Sequence, residues 1–347
     1  MFARARKHLV RLIYLVVAGI GLLAWAGPDG DTARPREVEV VERPGSGPSS
    51  TQELRIATWN IARARGPWWD HSHDSAHRVA VRLAGIQSTM DGVGADVVVL
   101  QEADLDSARS ARIDQPSWLM DEGRYPYLAA VPSWDLGYLA WPLTRPSDHI
   151  GRVKMGHAVL SRHRLRAHRY LPLPQPTEHS RLKNLFWVHR AIQHVVVDFR
   201  GQPVHILNLH LESRSLPNRN DQMAQLVQTI RGLDGPVIAL GDFNTLPHDA
   251  LRRHGFTDHA DFRADRSMES LRRQLPTFRE GLDGRNNAPT ATFPSVEPQR
   301  RLDFVLYSPH FAAADCDVIK PFEMEVGSQP SDHLPIACTF RVVPPSQ

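Results

Sequence analysis

The chain has 347 residues, two cysteines and a formal net charge of +3. Four basic residues and no acidic residue lie in positions 1–27, so the remainder of the chain carries a net charge of −1. A near-neutral body excludes the strongly basic surface that would by itself indicate a nucleic-acid-binding protein. The 22 glycines and 27 prolines are typical of a strand-rich fold with many turns.

Residues 1–27 have the pattern of a membrane-targeting segment. Basic residues precede fifteen uncharged, mainly apolar residues, 12–26, and Ala24-Trp25-Ala26 is similar to a signal-peptidase site. This length favours a cleaved signal peptide over an anchor, because a spanning helix needs about 20 residues. In either case, positive charge before the segment predicts that the following domain is extracytoplasmic: secreted, periplasmic or membrane-anchored.

The next stretch, residues 28–52, is polar and rich in proline, glycine and serine, which predicts a flexible linker. Residues 53–347 are expected to form one large domain, because strand patterns with polar ends run through all of it. The elements predicted between these strands are a helix (74–91), a short strand (125–132), an irregular insertion (133–155), a hairpin (156–171), a strand pair (186–199 and 204–211), a helix (218–231) and a polar region (247–285).

Each of several apolar strand patterns carries a polar residue at or near its end. These residues are Asn60, Glu102, His210, Asp242 with Asn244, Asp303, and Asp332 with His333. A buried carboxylate is costly unless it is paired or bound to a metal ion. Carboxylate and amide oxygens suit Mg²⁺ or Mn²⁺, so we expect one metal-assisted hydrolytic site assembled from strand ends.

The order of these motifs resembles that of the endonuclease/exonuclease/phosphatase family over residues 54–342. The motifs that carry the resemblance are Trp59-Asn60, Gln101-Glu102, Gly156-His157-Ala158-Val159-Leu160-Ser161, Asn208-Leu209-His210-Leu211, Gly241-Asp242-Phe243-Asn244, Arg301-Leu302-Asp303-Phe304 and Ser331-Asp332-His333-Leu334-Pro335. Each motif alone is weak evidence, but their shared order makes chance agreement improbable. The resemblance implies an α/β fold: a four-layer sandwich of two packed mixed β-sheets flanked by helices.

The same resemblance implies a set of metal ligands. It maps Glu102 onto the principal Mg²⁺-binding glutamate of the family. Asn60 is expected to support the same metal region through its amide, and Asp332 to bind the metal directly or through water.

The resemblance also assigns catalytic residues. Asp242 and Asn244 match the pair that orients the attacking water and holds the phosphoryl oxygens. His333 matches the catalytic histidine and Asp303 the carboxylate that orients it, whereas the choice of Asp242 or His333 as general base stays open. His210 is expected to hydrogen-bond a phosphate oxygen, and Arg190 is a candidate substrate contact.

These assignments predict a divalent-metal-dependent phosphoric ester hydrolase, in which activated water attacks phosphorus in line. We expect a monomeric phosphodiesterase that acts on a phospholipid or a small phosphodiester. The alternatives are a secreted nuclease, disfavoured by the near-neutral domain, and a non-catalytic envelope binding protein, disfavoured because every expected catalytic position is filled.

Two further features allow two interpretations each. The insertion contains Trp134, Leu136, Tyr138, Leu139 and Trp141, which suit either a membrane-surface contact or a flap packed over the sandwich edge. The two cysteines, at positions 316 and 338, fall in strands that can be neighbours, so they are either a disulfide or two buried thiols.

Overall fold

A computed structural model describes residues 27–28, 32–44, 52–67, 73–120, 124–143, 145–284, 289–321 and 329–342. The predicted targeting segment, residues 1–27, thus lies outside the described residues except for Gly27. Among the described residues, no helix has the length and apolar character needed to cross a membrane.

The strands are β1 (Arg36–Glu37), β2 (Val41–Glu42), β3 (Glu53–Asn60), β4 (Val97–Asp104), β5 (Tyr127–Leu139), β6 (Gly151–Ser161), β7 (Leu165–Pro172), β8 (Ala191–Phe199), β9 (Gln202–His210), β10 (Val237–Asp242), β11 (Arg279–Glu280), β12 (Asp303–Tyr307), β13 (Phe311–Val318) and β14 (Ile336–Val342). The helices are α1 (Ala76–Val93), α2 (Gln115–Leu119), α3 (Arg181–Phe186), α4 (Leu216–Arg231) and α5 (Ser267–Gln274).

The strands form two mixed sheets of seven strands each. The first sheet has the order β13-β14-β3-β4-β6-β5-β2, and the second has the order β1-β7-β8-β9-β10-β12-β11. Apolar side chains of both sheets, among them Ile56, Val99, Val195 and Ile206, form one buried cluster between them. This arrangement is the predicted sandwich of two packed sheets.

Helices cover the outer faces of both sheets. The apolar side of α1 packs on the first sheet through Leu83 and Ile86, as its helical periodicity predicted. Leu226 and Ile230 of α4 pack on the second sheet, in a cluster that also includes Leu271 of α5. The two helical layers complete the four layers of the sandwich.

Parallel pairing brings the polar strand ends together. Strands β3 and β4 are parallel, with Asn60 opposite Gln101, and β9 and β10 are parallel, with His210 opposite Asp242. Since parallel strands end on the same edge of a sheet, these polar residues lie along one rim of the sandwich. Strand β12 runs antiparallel to β10 and therefore begins at this rim, with Asp303 opposite Asp242.

Two predictions about the middle of the chain are wrong. Residues 156–171 are not a hairpin, because β6 pairs with β4 and β5 in the first sheet whereas β7 pairs with β8 in the second. The region 133–155 is not irregular over its whole length, because β5 continues to Leu139 and pairs with β6, which begins at Gly151. Buried Trp134 and Leu136 hold this extended β5–β6 hairpin in a small apolar cluster.

Part of the predicted linker is also ordered. Strand β1 pairs with β7, and β2 pairs with β5, so residues 36–42 extend an edge of each sheet. An unpaired sheet edge exposes backbone donors and acceptors, and these short strands satisfy some of them. The flexible-linker prediction is therefore wrong for this part of residues 28–52.

The two cysteines are joined. Cys316 and Cys338 lie opposite each other on β13 and β14 and form a disulfide. Of the two interpretations of the cysteines, the structure therefore shows the disulfide.

Gly241→Ala is expected to destabilise the protein by roughly 2 to 5 kcal/mol, the sum of a strained backbone and an overpacked site. Gly241 has a φ of +133°, and a Cβ there would lie 2.1 Å from the carbonyl oxygen of Leu209 on β9. Urea unfolding followed by circular dichroism measures the free energy of unfolding.

Gly232→Ala is the matched control, because a Cβ at Gly232 would meet its nearest neighbour, the carbonyl oxygen of Thr229, at an ordinary 3.5 Å. Its free energy of unfolding should stay within about 1 kcal/mol of the wild type. Equal stability of the two variants would contradict the close packing of β9 against β10.

Candidate active site

The rim of the sandwich gathers residues from both sheets into one cleft. The first sheet contributes Asn60 at the end of β3 and Glu102 near the end of β4, and the second contributes His210 and Asp242 at the ends of β9 and β10. Asp303 begins β12, and His333 lies just before β14. The structure therefore brings together the polar strand ends that the sequence singled out.

Asp303 and His333 form a buried pair. His333 Nδ1 lies 2.8 Å from Asp303 Oδ2. The backbone of His333 is held as well, because Trp59 Nε1 donates to its carbonyl oxygen over 2.8 Å and its own N–H donates to Ser331 Oγ over 3.1 Å. The imidazole ring is thus fixed with Nε2 directed toward Asp242, whose Oδ2 lies 3.8 Å away.

The charges of this pair follow from burial and from their neighbours. Burial alone lowers the pKa of His333, but the carboxylates of Asp303, Asp242 and Asp332 together raise it to about 10. Burial raises the pKa of Asp242 to about 7, against the opposing effect of the His333 charge. In this state His333 is a proton donor and Asp242 is a proton acceptor.

Asn60 links the two sheets across the cleft. Its Nδ2 donates to Asp242 Oδ2 over 3.0 Å and to Glu102 Oε1 over 3.4 Å. Its Oδ1 accepts from the N–H of Ala62 over 3.0 Å, which sets the orientation of the amide. Asn60 therefore presents its NH₂ group to the cleft and positions two carboxylates, and its support of a metal region stays a prediction.

Glu102 projects into the cleft because β4 is irregular there. The pairing of β4 with β6 shifts register between Leu100 and Ala103, and Glu102 has a left-handed φ of +51°. Burial raises the pKa of the Glu102 carboxyl, but Arg63, Arg190 and other cations outweigh this and hold the pKa below its usual value. With 23% of its side chain exposed, Glu102 is an ionised and accessible carboxylate.

Asn244 also acts within the protein framework. Its N–H donates to Asp242 Oδ1 over 2.9 Å, and its Nδ2 donates to the carbonyl oxygen of Leu211 over 3.0 Å. A left-handed φ of +52° at Asn244 makes the tight turn that these bonds require. The structure thus shows the Asn244 N–H positioning the Asp242 carboxylate, and the roles that the resemblance implies for this pair toward water and the phosphoryl oxygens stay predictions.

His210 and Arg190 are in direct contact. Arg190 Nη1 lies 2.7 Å from His210 Nε2. Burial and the nearby Arg190 charge hold the pKa of His210 well below its usual value, so the imidazole is neutral and Nε2 accepts from the guanidinium. The same Nε2 lies 3.5 Å from Asp242 Oδ2 and 3.8 Å from Glu102 Oε1, which places Arg190 at the same cleft.

Two arginines at the cleft were missed. The turn after β3 has left-handed φ values of 44°, 54° and 53° at residues 62–64, and it brings Arg63 Nη1 to 4.0 Å from Glu102 Oε2. Arg65 forms an ion pair with Asp332. Asp332 is thus paired with a guanidinium, and its binding of a metal ion, directly or through water, stays a prediction. Two arginines directly after a polar-ended strand were the available sequence signal.

The donor set fits a hard divalent cation. Glu102 Oε1 lies 3.8 Å and Asp242 Oδ2 lies 3.5 Å from His210 Nε2, so both carboxylates face the same cleft, and carboxylate oxygens are the ligands that Mg²⁺ prefers. One ligand atom each of Asp242, Asp303 and His333 also lies within 4.8 Å of the others. Because the Asp303–His333 hydrogen bond uses two of these atoms, Glu102 and Asp242 are the carboxylates of the cleft that remain to hold a cation.

Comparison with known proteins agrees with this geometry. The profile described as "Endonuclease/Exonuclease/phosphatase family" matches residues 57–333. No curated protein sequence matches the chain.

Solved structures share the fold at low sequence identity. An endonuclease/exonuclease/phosphatase from Beutenbergia cavernae is 20% identical with a TM-score of 0.57, over 84% of this chain and 72% of that one. A family protein from Bacteroides thetaiotaomicron is 16% identical with a TM-score of 0.55, over 85% and 96%. D. rerio TDP2, in complex with a single-strand DNA product, is 17% identical with a TM-score of 0.52, over 83% and 98%. At these identities, the structures are similar to this chain in fold.

Asp303→Asn is expected to lower kcat for phosphodiester hydrolysis by roughly 10²- to 10⁴-fold, the usual contribution of a positioned acid–base group. The amide keeps the shape of the carboxylate but removes the charge beside His333 Nδ1. Steady-state kinetics per folded protein measure the effect, and KM should change little.

Asp96→Asn is the matched control for this prediction. Asp96 is also buried and accepts from the N–H of Arg55 over 3.0 Å, but it lies at the opposite end of β4 from the cleft. Its kcat should equal that of the wild type. An equal fall in both variants would show a general effect of losing a buried carboxylate.

Glu102→Gln is expected to abolish stabilisation of the protein by Mg²⁺. A cation bound to the folded state at 100 times its Kd stabilises by about 2.7 kcal/mol, which raises Tm by several degrees. Thermal unfolding with Mg²⁺ and with EDTA measures the shift, with Asp96→Asn as the control that keeps it. A full shift in Glu102→Gln would exclude Glu102 as a ligand.

Proposed function

The chain belongs to the Endonuclease/Exonuclease/phosphatase family, whose fold carries phosphoester hydrolysis, and we propose that it is an extracytoplasmic, Mg²⁺-dependent phosphodiesterase. We propose further that its substrate is a phospholipid or a small phosphodiester. The observation that carries the proposal is the single cleft in which Glu102, His210 and Asp242 meet the Asp303–His333 pair.

The ionisable residues of the cleft have different roles in the proposed hydrolysis, set by their charges. Asp242 is the acceptor for a proton of the attacking water, and the hydrogen bond from the Asn244 N–H orients its carboxylate. Protonated His333, held by Asp303, donates to a phosphoryl oxygen. Arg190 adds positive charge beside His210, where negative charge develops as water adds to phosphorus.

A divalent cation held by Glu102 and Asp242 would stabilise the extra negative charge of the transition state and make bound water more acidic. Mn²⁺ offers the same hard-ligand chemistry as Mg²⁺. The residues of the chain then supply the geometry: Asn60 keeps the two carboxylates of opposite sheets together through bonds of 3.0 and 3.4 Å.

Two features support a location outside the cytoplasm. The basic residues before the apolar segment 12–26 predict that the domain is translocated. The Cys316–Cys338 disulfide suits an oxidising compartment, because thiols are kept reduced in most cytosols.

The positive charge of the protein at the cleft is local. Arg63, Arg65 and Arg190 lie there, whereas residues 28–347 have a net charge of −1. A few arginines in one cleft can bind a single phosphate group. A long polyanion such as a nucleic acid needs positive charge over an extended surface, which a near-neutral domain does not provide. This favours a lipid headgroup or a small diester over DNA or RNA.

The alternatives are outcomes of one experiment. The full chain is assayed with Mg²⁺ or EDTA against phospholipid vesicles, bis-para-nitrophenyl phosphate and supercoiled plasmid. We expect hydrolysis of the first two substrates, lost with EDTA and reduced about 10²-fold or more in Asp242→Asn, because the amide cannot accept the proton.

Preferential plasmid nicking that needs both Mg²⁺ and Asp242 would make the protein a nuclease instead. A folded protein that gains stability from Mg²⁺ but hydrolyses none of the three substrates would support the non-catalytic binding protein. Asp96→Asn serves again as the control variant and should retain wild-type rates on every substrate.

A further inference from the structure

The β5–β6 hairpin extends beyond the catalytic rim and ends in exposed apolar side chains. Residues 133–139 of β5 continue past the level of Gly156, which pairs with Pro132 beside the end of β4. Trp134 and Leu136 are buried in the base of this extension, whereas Trp141 is 50% exposed and Leu143 is 79% exposed at its tip. Of the apolar residues in the insertion, Trp134 and Leu136 are therefore packed within the protein, whereas Trp141 is open to a surface contact.

Helix α3 lies against the same hairpin. Phe186 at its end packs on the apolar cluster that contains Trp134 and Leu136. Its first three residues, Arg181, Leu182 and Lys183, are exposed, with 59% of Leu182 open to solvent. An apolar side chain between two cations is the composition of a segment that lies on a lipid surface.

The chain that follows the apolar segment 12–26 enters the fold at this place. The N–H of Gly137 on β5 donates to the carbonyl oxygen of Gly27 over 3.1 Å, and Pro28 forms a bridge with Leu136. Pro28 and Arg181 also line one cavity of about 350 Å³, together with Thr32 and His189. Gly27 therefore lies against the β5–β6 hairpin, and the next residue, Pro28, shares a cavity with α3.

This attachment limits where a membrane can be. If residues 12–26 are seated in a bilayer, Gly27 lies at its interface, since it follows the segment directly. Fifteen residues span about 22 Å as a helix, which is shorter than the hydrocarbon core of about 30 Å and leaves no slack before Gly27. Gly137 must then lie at the interface too, with Trp141 and Leu143 a few residues further along.

Of the two alternatives for residues 12–26, we propose the uncleaved anchor, with the tip of the β5–β6 hairpin and α3 resting on the same lipid surface, because Gly27 and Pro28 are attached to this hairpin. We define this membrane face by Trp141, Leu143, Arg181, Leu182 and Lys183. Residues 140–150 and 177–187 contain three cations, Arg145, Arg181 and Lys183, and two acidic residues, Asp148 and Glu178. Their net charge is small, so the apolar side chains provide most of the attraction to the lipid surface.

The membrane face leads directly to the cleft. After α3 ends at Phe186, Trp187 Nε1 donates to Glu212 Oε2 over 3.2 Å, and Arg190 contacts His210. Four residues of extended chain, at most about 14 Å, separate the end of α3 from this arginine. The substrate is therefore a phosphoester lipid embedded in that membrane, an extension that rests on the proposed function.

Lipid-specific fluorescence quenching tests the membrane face without any assay of activity. The full chain is placed in nanodiscs of phosphatidylcholine and phosphatidylglycerol that hold one chain each, with and without lipid brominated near the glycerol end. The proposal places two tryptophans of the wild type, Trp25 and Trp141, at the interface, so we expect brominated lipid to quench the wild type. In Trp141→Phe only Trp25 remains there, and the quenching should fall by about half.

Trp118→Phe is the matched control, since Trp118 is 37% exposed but lies on α2. It should be quenched as strongly as the wild type. Equal quenching in all three proteins would overturn the proposal, as would a mature chain whose mass shows cleavage after Ala26. Wild-type protein that is not quenched at all would overturn it as well.

A second comparison tests the link to the cleft. Leu143→Ala combined with Leu182→Ala is expected to slow hydrolysis of phospholipid in the nanodiscs about tenfold, while the rate on soluble bis-para-nitrophenyl phosphate stays at the wild-type value. Equal losses on both substrates, or none, would overturn the lipid-substrate inference. If the wild type hydrolyses neither ester, the proposed function fails, and the quenching result still decides the membrane face.

Discussion

The hydrogen bonds between Gln101 and Asn208 are the constraint on which the cleft depends. Gln101 Nε2 on the first sheet donates to Asn208 Oδ1 on the second over 2.8 Å, and Asn208 Nδ2 donates to the carbonyl oxygen of Leu100 over 2.9 Å. These amides are fully buried, so a shift between the sheets would leave polar groups unpaired at a cost of about 1–3 kcal/mol each. Because Glu102 follows Gln101 and His210 lies two residues after Asn208, the same bonds position both of these side chains in the cleft.

The cleft concentrates opposite charges that the fold must keep balanced. Its carboxylates and cations are Glu102, Asp242, Asp303 and Asp332, and Arg63, Arg65, Arg190 and His333. Burial disfavours every one of these charges, and their mutual attraction offsets that cost only while the geometry holds. The elevated pKa of Asp242, about 7, shows a carboxylate whose burial is incompletely compensated within the protein. Burial of Asp242 therefore costs the folded protein some stability. The same burial leaves a carboxylate that is suited to accept a proton or to bind a cation.

The surroundings of the cleft come from elements at the edges of the two sheets. The sandwich and its cleft account for phosphoester hydrolysis, and the same architecture carries substrates of many kinds. The strand β1 beside Tyr170 lies at one such edge, and the extended β5–β6 hairpin with α3 packed against it lies at the other. They determine what surrounds the cleft, and through Arg190 they reach into it.

The sequence by itself determined two helices, predicted over 74–91 and 218–231 and observed over 76–93 and 216–231, and the polar strand ends that meet in the cleft, because hydrophobic periodicity and burial cost act locally. The fold class came from the order of the motifs, through their resemblance to a known family. Tertiary structure decided the rest. The short turn after Ser161 has the same local sequence pattern whether β7 pairs with β6 in a hairpin or crosses to the other sheet. Here β7 crosses and pairs with β8. The amide of Asn60 and the partner of Asp332 were likewise set by groups distant in sequence, Asp242 and Arg65. Partners of this kind are chosen by how two sheets pack, and no local pattern of residues encodes that packing.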